Sequence, residues 1–117
     1  MISNFGIVMR KIRDKSNDSL RTCATKLGIT AAFLSAMEVG RKSIPSYYPE
    51  KIKDIYNLKE EDYIELYNAM VETNNYVTIE IDKMNEAQKE TTLVFSRKIN
   101  NANSELIDKL RKVLEDE

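Results

Sequence analysis

The stretch SLRTCATKLGITAAFLSAMEVG, residues 19–40, decides the fold that the rest of the chain is expected to support. Ser19 is a good N-cap, because its hydroxyl can accept a hydrogen bond from an unpaired backbone N–H of the following helix. Gly28 suits the left-handed conformation that ends a helix, which glycine adopts at little cost. Thr30 stands where a second N-cap is needed. The stretch therefore predicts two short helices joined by a tight turn, over residues 20–27 and 31–39.

The residues on either side of this stretch predict three more helices. From Phe5 to Ile12, four apolar side chains recur at i, i+3, i+4 and i+7, which is typical of one buried helix face. Ser46 is the expected N-cap of a fourth helix, with Pro49 in its first turn, where a missing N–H costs nothing. The acidic residues 60–62 suit the positive end of a fifth helix. We expect these helices over residues 4–15, 47–56 and 59–73, which completes a five-helix domain over residues 1–73.

The pattern changes at residues 76–82, YVTIEID. Val77, Ile79 and Ile81 alternate with polar residues, and β-branched side chains favour a half-buried strand. No other segment of the chain has this pattern, so the backbone groups of such a strand need a partner from outside the chain. We expect the same strand of a second copy, paired antiparallel across a two-fold axis. The alternative is that these residues form an extended linker.

Two amphipathic helices are expected after the strand. The first covers residues 85–99, and the second is capped by Ser104 and carries an apolar stripe at helical spacing: Leu106, Ile107, Leu110, Val113 and Leu114. Such a stripe must cover another helix or a partner chain, and small domains gain stability from oligomerising. The predicted fold is therefore mainly α, with a five-helix domain, one short strand and two C-terminal helices. Residues 74–117 form its dimerisation or partner-binding appendage.

The composition limits the chemistry of the chain. Cys23 is the one cysteine among 117 residues and histidine is absent, so an internal disulfide is impossible and a Cys/His zinc site lacks ligands. The three glycines form no phosphate-binding loop, and no nucleophile has a base beside it. We therefore expect no enzyme, no cofactor and no metal site. The apolar runs are far shorter than the ~20 residues that cross a bilayer, so we expect a cytoplasmic protein with no membrane contact.

The formal net charge of -1 hides an asymmetry between the two halves of the chain. Residues 1–58 contain ten Lys and Arg against five Asp and Glu, a net charge of +5. Residues 59–117 contain eight against fourteen, a net charge of -6. The basic half includes the two paired helices, which favours a nucleic-acid partner. The acidic half either is a solvated surface or has a separate task, and both interpretations stay open.

Several residues in and around 19–40 occur in a distinctive order and spacing. They are Arg13, Ser-Leu-Arg at 19–21, Ala24, Leu27-Gly28-Ile29-Thr30, Phe33-Leu34-Ser35, Glu38-x-Gly40-Arg41-Lys42 and Pro45. Each element is weak alone, but together they resemble the Xre/Cro/C1-type helix-turn-helix family of phage repressors and bacterial regulators. The resemblance covers about residues 4–66 and implies a repressor-like fold for the first domain.

The resemblance implies that helix 31–39 reads DNA in the major groove. The DNA-binding residues that it implies are Leu20, Arg21, Thr30, Ala31, Ala32, Phe33, Ser35, Arg41, Lys42 and Ser43. The two alanines depart from the Gln, Arg or Asn of other family members. They can touch thymine methyl groups but cannot make bidentate base contacts, so we expect more specificity from Arg21, DNA shape and dimer spacing. The alternative is that the alanines only favour the helix, and Phe33 either reaches the groove or packs down.

The resemblance also implies a structural ion pair between Arg13 and Glu38, which would tie helix 1 to the end of helix 3. Further candidates for phosphate contacts are the N-termini of helices 2 and 4, with Lys26, Tyr47 and Tyr48. The expected function is that of a sequence-specific transcriptional regulator. We expect a homodimeric repressor that binds double-stranded DNA and dimerises through residues 76–117. The alternative is an antitoxin or phage inhibitor in which residues 76–117 bind and neutralise a protein partner.

Overall fold

A computed structural model of the chain describes residues 1–117 and is 69% helical. Its seven α-helices are α1 Asn4–Ser16, α2 Leu20–Leu27, α3 Ala31–Glu38, α4 Tyr48–Tyr56, α5 Glu60–Asn74, α6 Glu86–Lys98 and α7 Ser104–Glu115, with a short 3₁₀ helix at Ile99–Asn101. The prediction of a mainly α protein is confirmed. The chain divides into two compact units, Met1–Thr78 and Ile79–Glu117, whereas the predicted domain boundary lies at residue 73.

The first unit has one apolar core. Helix α1 packs against α3 and α5, while α4 packs against α2 and α5. The side chains that lose nearly all solvent contact include one or more from each helix and one from the loop before α4: Phe5, Met9, Leu27, Leu34, Met37, Ile44, Ile52 and Leu66. Burying side chains of this size is the main favourable term in folding. This core holds the paired helices α2 and α3 in place.

Helix α4 differs from its prediction in how it begins and which face it buries. Ser46 does not cap it; Tyr47 occupies the N-cap position and makes no side-chain hydrogen bond. Pro49 does lie in the first turn, where it removes one N–H that a cap would serve. The spacing of Ile52, Ile55 and Tyr56 predicts that these three side chains share the buried face, but Tyr48 and Ile52 are buried, Tyr56 is half-buried and Ile55 is exposed. The one-turn apolar pattern was too short to fix the rotation of the helix about its axis.

The predicted strand at residues 76–82 is wrong, because the chain contains no strand. Residues 77–81 have no regular secondary structure, Tyr76 lies in a bend and Asp82 in a turn, and all seven side chains are exposed. The period-two pattern is real in the sequence, but a strand exists only where a second backbone supplies hydrogen bonds. No other segment of this chain offers them.

The second unit consists of α6, the 3₁₀ helix and α7. Asn85 and Gln88 form a capping box at the start of α6, with reciprocal N···O distances of 2.8 and 3.0 Å. Asn103, not Ser104 as expected, caps α7 by accepting a hydrogen bond from the Leu106 N–H at 2.9 Å. Neither α6 nor α7 buries any residue fully. These two helices are therefore formed by local signals and lack a core of their own.

Candidate nucleic-acid interface

The turn between α2 and α3 is built by local hydrogen bonds at the positions that the sequence indicated. The Ser19 hydroxyl accepts from the Thr22 N–H at 3.0 Å and so caps α2. Gly28 has a φ of 74°, a left-handed value that strains any residue with a Cβ. The Thr30 hydroxyl accepts from the Phe33 N–H at 3.0 Å and caps α3. The structure therefore contains the two predicted short helices joined by a tight turn, with α3 ending at Glu38 and not at residue 39.

The predicted DNA-binding residues fall into two groups. Leu20, Ala31 and Phe33 are half-buried and pack against the core, so Phe33 packs down, and Ser35 is half-buried as well. The exposed group consists of Arg21, Thr30, Ala32, Arg41, Lys42 and Ser43. Helix α3 thus presents small side chains to solvent, which can approach a groove closely but offer few base-reading groups.

The cations of residues 1–58 differ in whether a carboxylate already neutralises them. Lys11, Lys26 and Lys53 pair with Glu65, Asp18 and Glu60 at N···O distances of 2.9, 2.7 and 3.1 Å. The exposed cations without an ion pair are Arg10, Lys15, Arg21, Arg41 and Lys42. Three of these five are predicted DNA contacts. These three side chains, Arg21, Arg41 and Lys42, therefore carry positive charge that no carboxylate of the chain neutralises by an ion pair.

Lys26 and Lys51 are occupied within the first unit. The Lys26 ammonium binds Asp18 and lies 5.1 Å from the centre of the Tyr56 ring. Hydrogen bonds from Lys26 and Tyr56 hold the pKa of Asp18 below its usual value. The Lys51 ammonium donates to the Leu27 carbonyl at 2.7 Å, which completes the C-terminal end of α2. The charge of Lys26, one of the predicted phosphate contacts, is therefore already neutralised by Asp18.

Arg13 and Glu38 meet in the interior of the first unit. Nη1 of Arg13 donates to Oε2 of Glu38, and the two residues are 8% and 5% exposed. Burial raises the pKa of Glu38, and the guanidinium of Arg13 opposes that shift. The pair joins α1 to the last residue of α3. Its geometry fixes the end of the helix that the sequence indicated as the DNA reader.

Residues that the sequence analysis did not single out fix the same end of α3. The Ser3 N–H and hydroxyl both donate to the Glu38 carbonyl, at 2.9 and 2.7 Å. Gly6 lies against this carbonyl so closely that a Cβ at Gly6 would overlap it. A glycine inside a helical pattern is the signal that could have indicated a close approach of backbones. Ser3 carried no comparable signal.

The loop of residues 41–47, which we call the basic loop, connects α3 to α4. Its first two backbone N–H groups, of Arg41 and Lys42, both donate to the Ala36 carbonyl at 2.9 and 3.3 Å. Tyr47, at the end of the loop, is 60% exposed, and its ring meets the buried Tyr48 edge to face at 4.9 Å. Of the two predicted tyrosines, Tyr47 is free to reach a phosphate and Tyr48 is not.

The second unit presents an apolar groove of ≈ 510 Å³ on α6. Its lining includes Ile79, Met84, Ala87 and Phe95, with the aliphatic parts of polar neighbours. Val113 and Leu114 of α7 are 65% and 70% exposed. This amount of exposed apolar surface in so short a unit is typical of an interaction surface.

The described chain offers no group of three or more His, Cys, Asp or Glu side chains arranged to hold a metal ion. None of its helices combines the length and hydropathy that a membrane crossing requires. Comparison with models of protein families, with curated proteins and with solved structures found no match for this chain.

Proposed function

We propose that this protein is a sequence-specific, DNA-binding transcriptional regulator of the Xre/Cro/C1 type, a cytoplasmic repressor that lays α3 in the major groove. The observation that carries the proposal is the exposure of Arg21, Arg41 and Lys42, without carboxylate partners, beside a capped helix-turn-helix unit. When unneutralised Lys and Arg side chains bind phosphates, they displace the counterions that are condensed on the DNA. This release is a large part of the free energy of DNA binding. Fourteen of the nineteen carboxylates lie in residues 59–117, so the net charge of -1 does not describe the surface that carries these cations.

The rigidity of α3 also supports a DNA reader. The buried Arg13–Glu38 pair and the Ser3 hydrogen bonds hold the C-terminal end of the helix, while Thr30 holds its start. A recognition helix that is fixed before binding loses little conformational freedom when it enters the groove. The exposed Ala32 and the hydroxyls of Thr30 and Ser35 suit close approach and contact with thymine methyl groups. Specificity would then come largely from Arg21, from DNA shape and from the spacing of two half-sites.

The proposed repressor is a homodimer, and residues 76–117 supply its contact. The support is the lack of a fully buried residue in α6 and α7, together with their exposed apolar side chains. Units of about 40 residues usually need a disulfide, a metal or oligomerisation to be stable. This unit contains no cysteine, so a disulfide within it is excluded. A second copy presents the same apolar surface and forms a closed, symmetric contact.

Selection of bound sequences from a random DNA pool, combined with the mass of the protein in solution, tests the proposal. A regulator of this kind should enrich a two-fold symmetric site and should bind as a dimer. A folded protein that shows no salt-dependent binding to any sequence would overturn the proposal.

A pair of matched variants then tests the cations. The double substitution Arg41→Ala with Lys42→Ala should reduce the slope of log affinity against log salt by about 3.6, because the proposed dimer loses two phosphate contacts in each protomer and each contact contributes about 0.9. The control, Lys11→Ala with Lys53→Ala, removes the same charge from positions that already pair with Glu65 and Glu60. Its slope should stay near that of the parent protein. Equal slopes for the two double variants would contradict the assignment of the basic loop.

A second candidate function is favoured by the apolar groove on α6 and the exposed face of α7. In this candidate the chain is an antitoxin or phage inhibitor whose residues 76–117 cover a protein partner. The two candidates differ in where activity lies: substitutions at Arg41 and Lys42 would leave partner neutralisation intact, whereas Leu114→Asp would abolish it. A monodisperse homodimer with a buried α7 would argue against a free partner-binding face.

A further inference from the structure

The basic loop is held at three points, and only one of them comes from a distant part of the chain. Its start is bound to the Ala36 carbonyl of α3, and its end runs into the buried Tyr48. Its middle is held by Asn74, the last residue of α5. The Asn74 Oδ1 accepts from the Ile44 N–H, and the Asn74 Nδ2 donates to the Ile44 carbonyl, both at 2.9 Å.

This two-way clamp requires an amide side chain. A carboxamide offers a donor and an acceptor in one plane, whereas aspartate is acceptor-only when ionised and leucine offers neither group. The clamp pairs both backbone polar groups of Ile44, whose side chain is 1% exposed. Leaving such groups unpaired in the interior would cost free energy, so the clamp gives the middle of the loop one preferred position.

The position of Asn74 is fixed in turn, because hydrogen bonds join the last turn of α5 to the start of α1. The Thr73 hydroxyl accepts from the Phe5 N–H at 3.1 Å, and Oε2 of Glu72 accepts from the Asn4 side chain at 2.6 Å. The same start of α1 carries Ser3, which binds the end of α3. The end of α3 and the middle of the basic loop are therefore held to the same two helix ends.

We infer that Asn74 is a positioning residue for DNA binding, which holds the basic loop so that Arg41 and Lys42 stand ready at the phosphates beside α3. The inference rests on the proposed function. Asn74 touches no DNA in this account; it acts through Ile44, two residues after Lys42. A loop fixed in advance gives up little freedom on binding, whereas a loose loop must be ordered by the DNA at the expense of affinity.

The test uses Asn74→Leu, which removes donor and acceptor, and Asn74→Asp, which keeps the shape and an acceptor but loses the donor. The control is Asn68→Leu, on the same helix, where the asparagine is exposed and makes no side-chain hydrogen bond. DNA affinity is measured against salt for the site selected from the random pool. We expect about tenfold weaker binding and a smaller salt slope for both Asn74 variants, and no change for the control.

A double-mutant cycle separates positioning from a general loss of structure. In a protein that already carries Arg41→Ala and Lys42→Ala, Asn74→Leu should have almost no further effect on affinity, since the side chains it positions are gone. Hydrogen exchange supplies the second readout: the Ile44 amide should exchange faster in the Asn74 variants, while the amides of Leu34 and Leu66 keep their protection.

Each outcome decides between the two proposals. If the parent protein binds no DNA, the proposed function fails, and the exchange of the Ile44 amide still reports whether Asn74 fixes the loop. If the parent binds and the Asn74 variants keep its affinity and salt slope, the inference is overturned and the proposed function stands. Equal losses with and without Arg41 and Lys42, or global unfolding of both Asn74 variants, would also overturn it, because Asn74 would then be a structural residue only.

Discussion

The two units of this chain are both helical, but they place their apolar side chains differently. In Met1–Thr78, five helices enclose a shared core, and charged side chains of both signs, apart from the buried Arg13–Glu38 pair, lie toward the outside. In Ile79–Glu117, two well-capped helices keep their apolar faces in solvent. The difference teaches that caps define where a helix begins and ends, whereas the stability of the helix comes from packing its apolar face, which in the second unit needs a surface beyond the unit itself.

The largest expected effect separates the ion pairs of the two units. Arg13→Met should destabilise the first unit by about 3–5 kcal/mol, because it leaves the Glu38 carboxylate buried without its partner. Lys109→Met removes a cation from the exposed Lys109–Glu105 pair, 3.2 Å apart in α7, and should cost less than about 1 kcal/mol. Chemical denaturation measures both. A loss of similar size in the two variants would remove this distinction between the units.

The stability of the Arg13→Met variant should also depend on pH more strongly than that of the parent. Burial raises the pKa of Glu38 above its ordinary 4.5, and without Arg13 nothing in the pair opposes that shift. When the pKa of a carboxyl is higher in the folded than in the unfolded protein, the unfolding free energy of the protein falls as pH rises from the unfolded pKa to the folded pKa. The difference in unfolding free energy between the variant and the parent should therefore narrow as pH falls toward 4.5. The double variant Arg13→Met with Glu38→Leu should lack this pH dependence.

A leucine in each unit gives the next largest contrast. Leu34→Ala should cost about 2–5 kcal/mol of unfolding free energy, because the side chain is fully buried and leaves a cavity. Leu114→Ala, at 70% exposure, should leave the unfolding of the first unit unchanged and should weaken self-association instead. Denaturation at several protein concentrations distinguishes the two effects. A concentration-independent loss of stability in Leu114→Ala would place Leu114 in a core and would contradict the claim that the second unit leaves its apolar side chains exposed.

A smaller effect is expected from Gly6→Ala, which adds one methyl group where α1 meets the Glu38 carbonyl. Alanine favours helices, so propensity alone would stabilise the variant by up to about 1 kcal/mol. Overlap with the carbonyl should outweigh this and give a net loss of about 1–3 kcal/mol. Lys15→Ala, an exposed and unpaired position on the same helix, is the control. A more stable Gly6→Ala protein would show that the two backbones can separate freely.

The smallest expected effect on the first unit comes from ending the chain after Thr78. The first unit has its own core, so its unfolding free energy should change by less than about 0.5 kcal/mol. The mass in solution should fall to that of a monomer, because the proposed dimer contact is removed. A shortened chain that stays dimeric would locate the contact in the first unit, and one that unfolds would show that the two units depend on each other.

The parts of the fold that sequence predicted well are those with local causes. Ser19, Gly28 and Thr30 act on residues within one turn of themselves, so their roles follow from short-range chemistry. Pairing between distant residues has no such signal. The strand at 76–82 was expected from alternation alone, and the Asn74–Ile44 clamp joins residues separated by 30 positions. In the candidate site, the exposed arginines and lysine and the Arg13–Glu38 pair could be named from the sequence, but Ser3 and Asn74, which act on distant backbone groups, could not.

The hydrogen bonds of Phe5 with Thr73 and of Asn4 with Glu72 join the beginning of the first unit to its end. Met1 and Thr73 line the same surface cleft. These contacts therefore join the first of the five helices, α1, to the last, α5. The start of α1 and the end of α5 lie side by side, so a short peptide that joins them should allow new termini to be opened at an exposed turn.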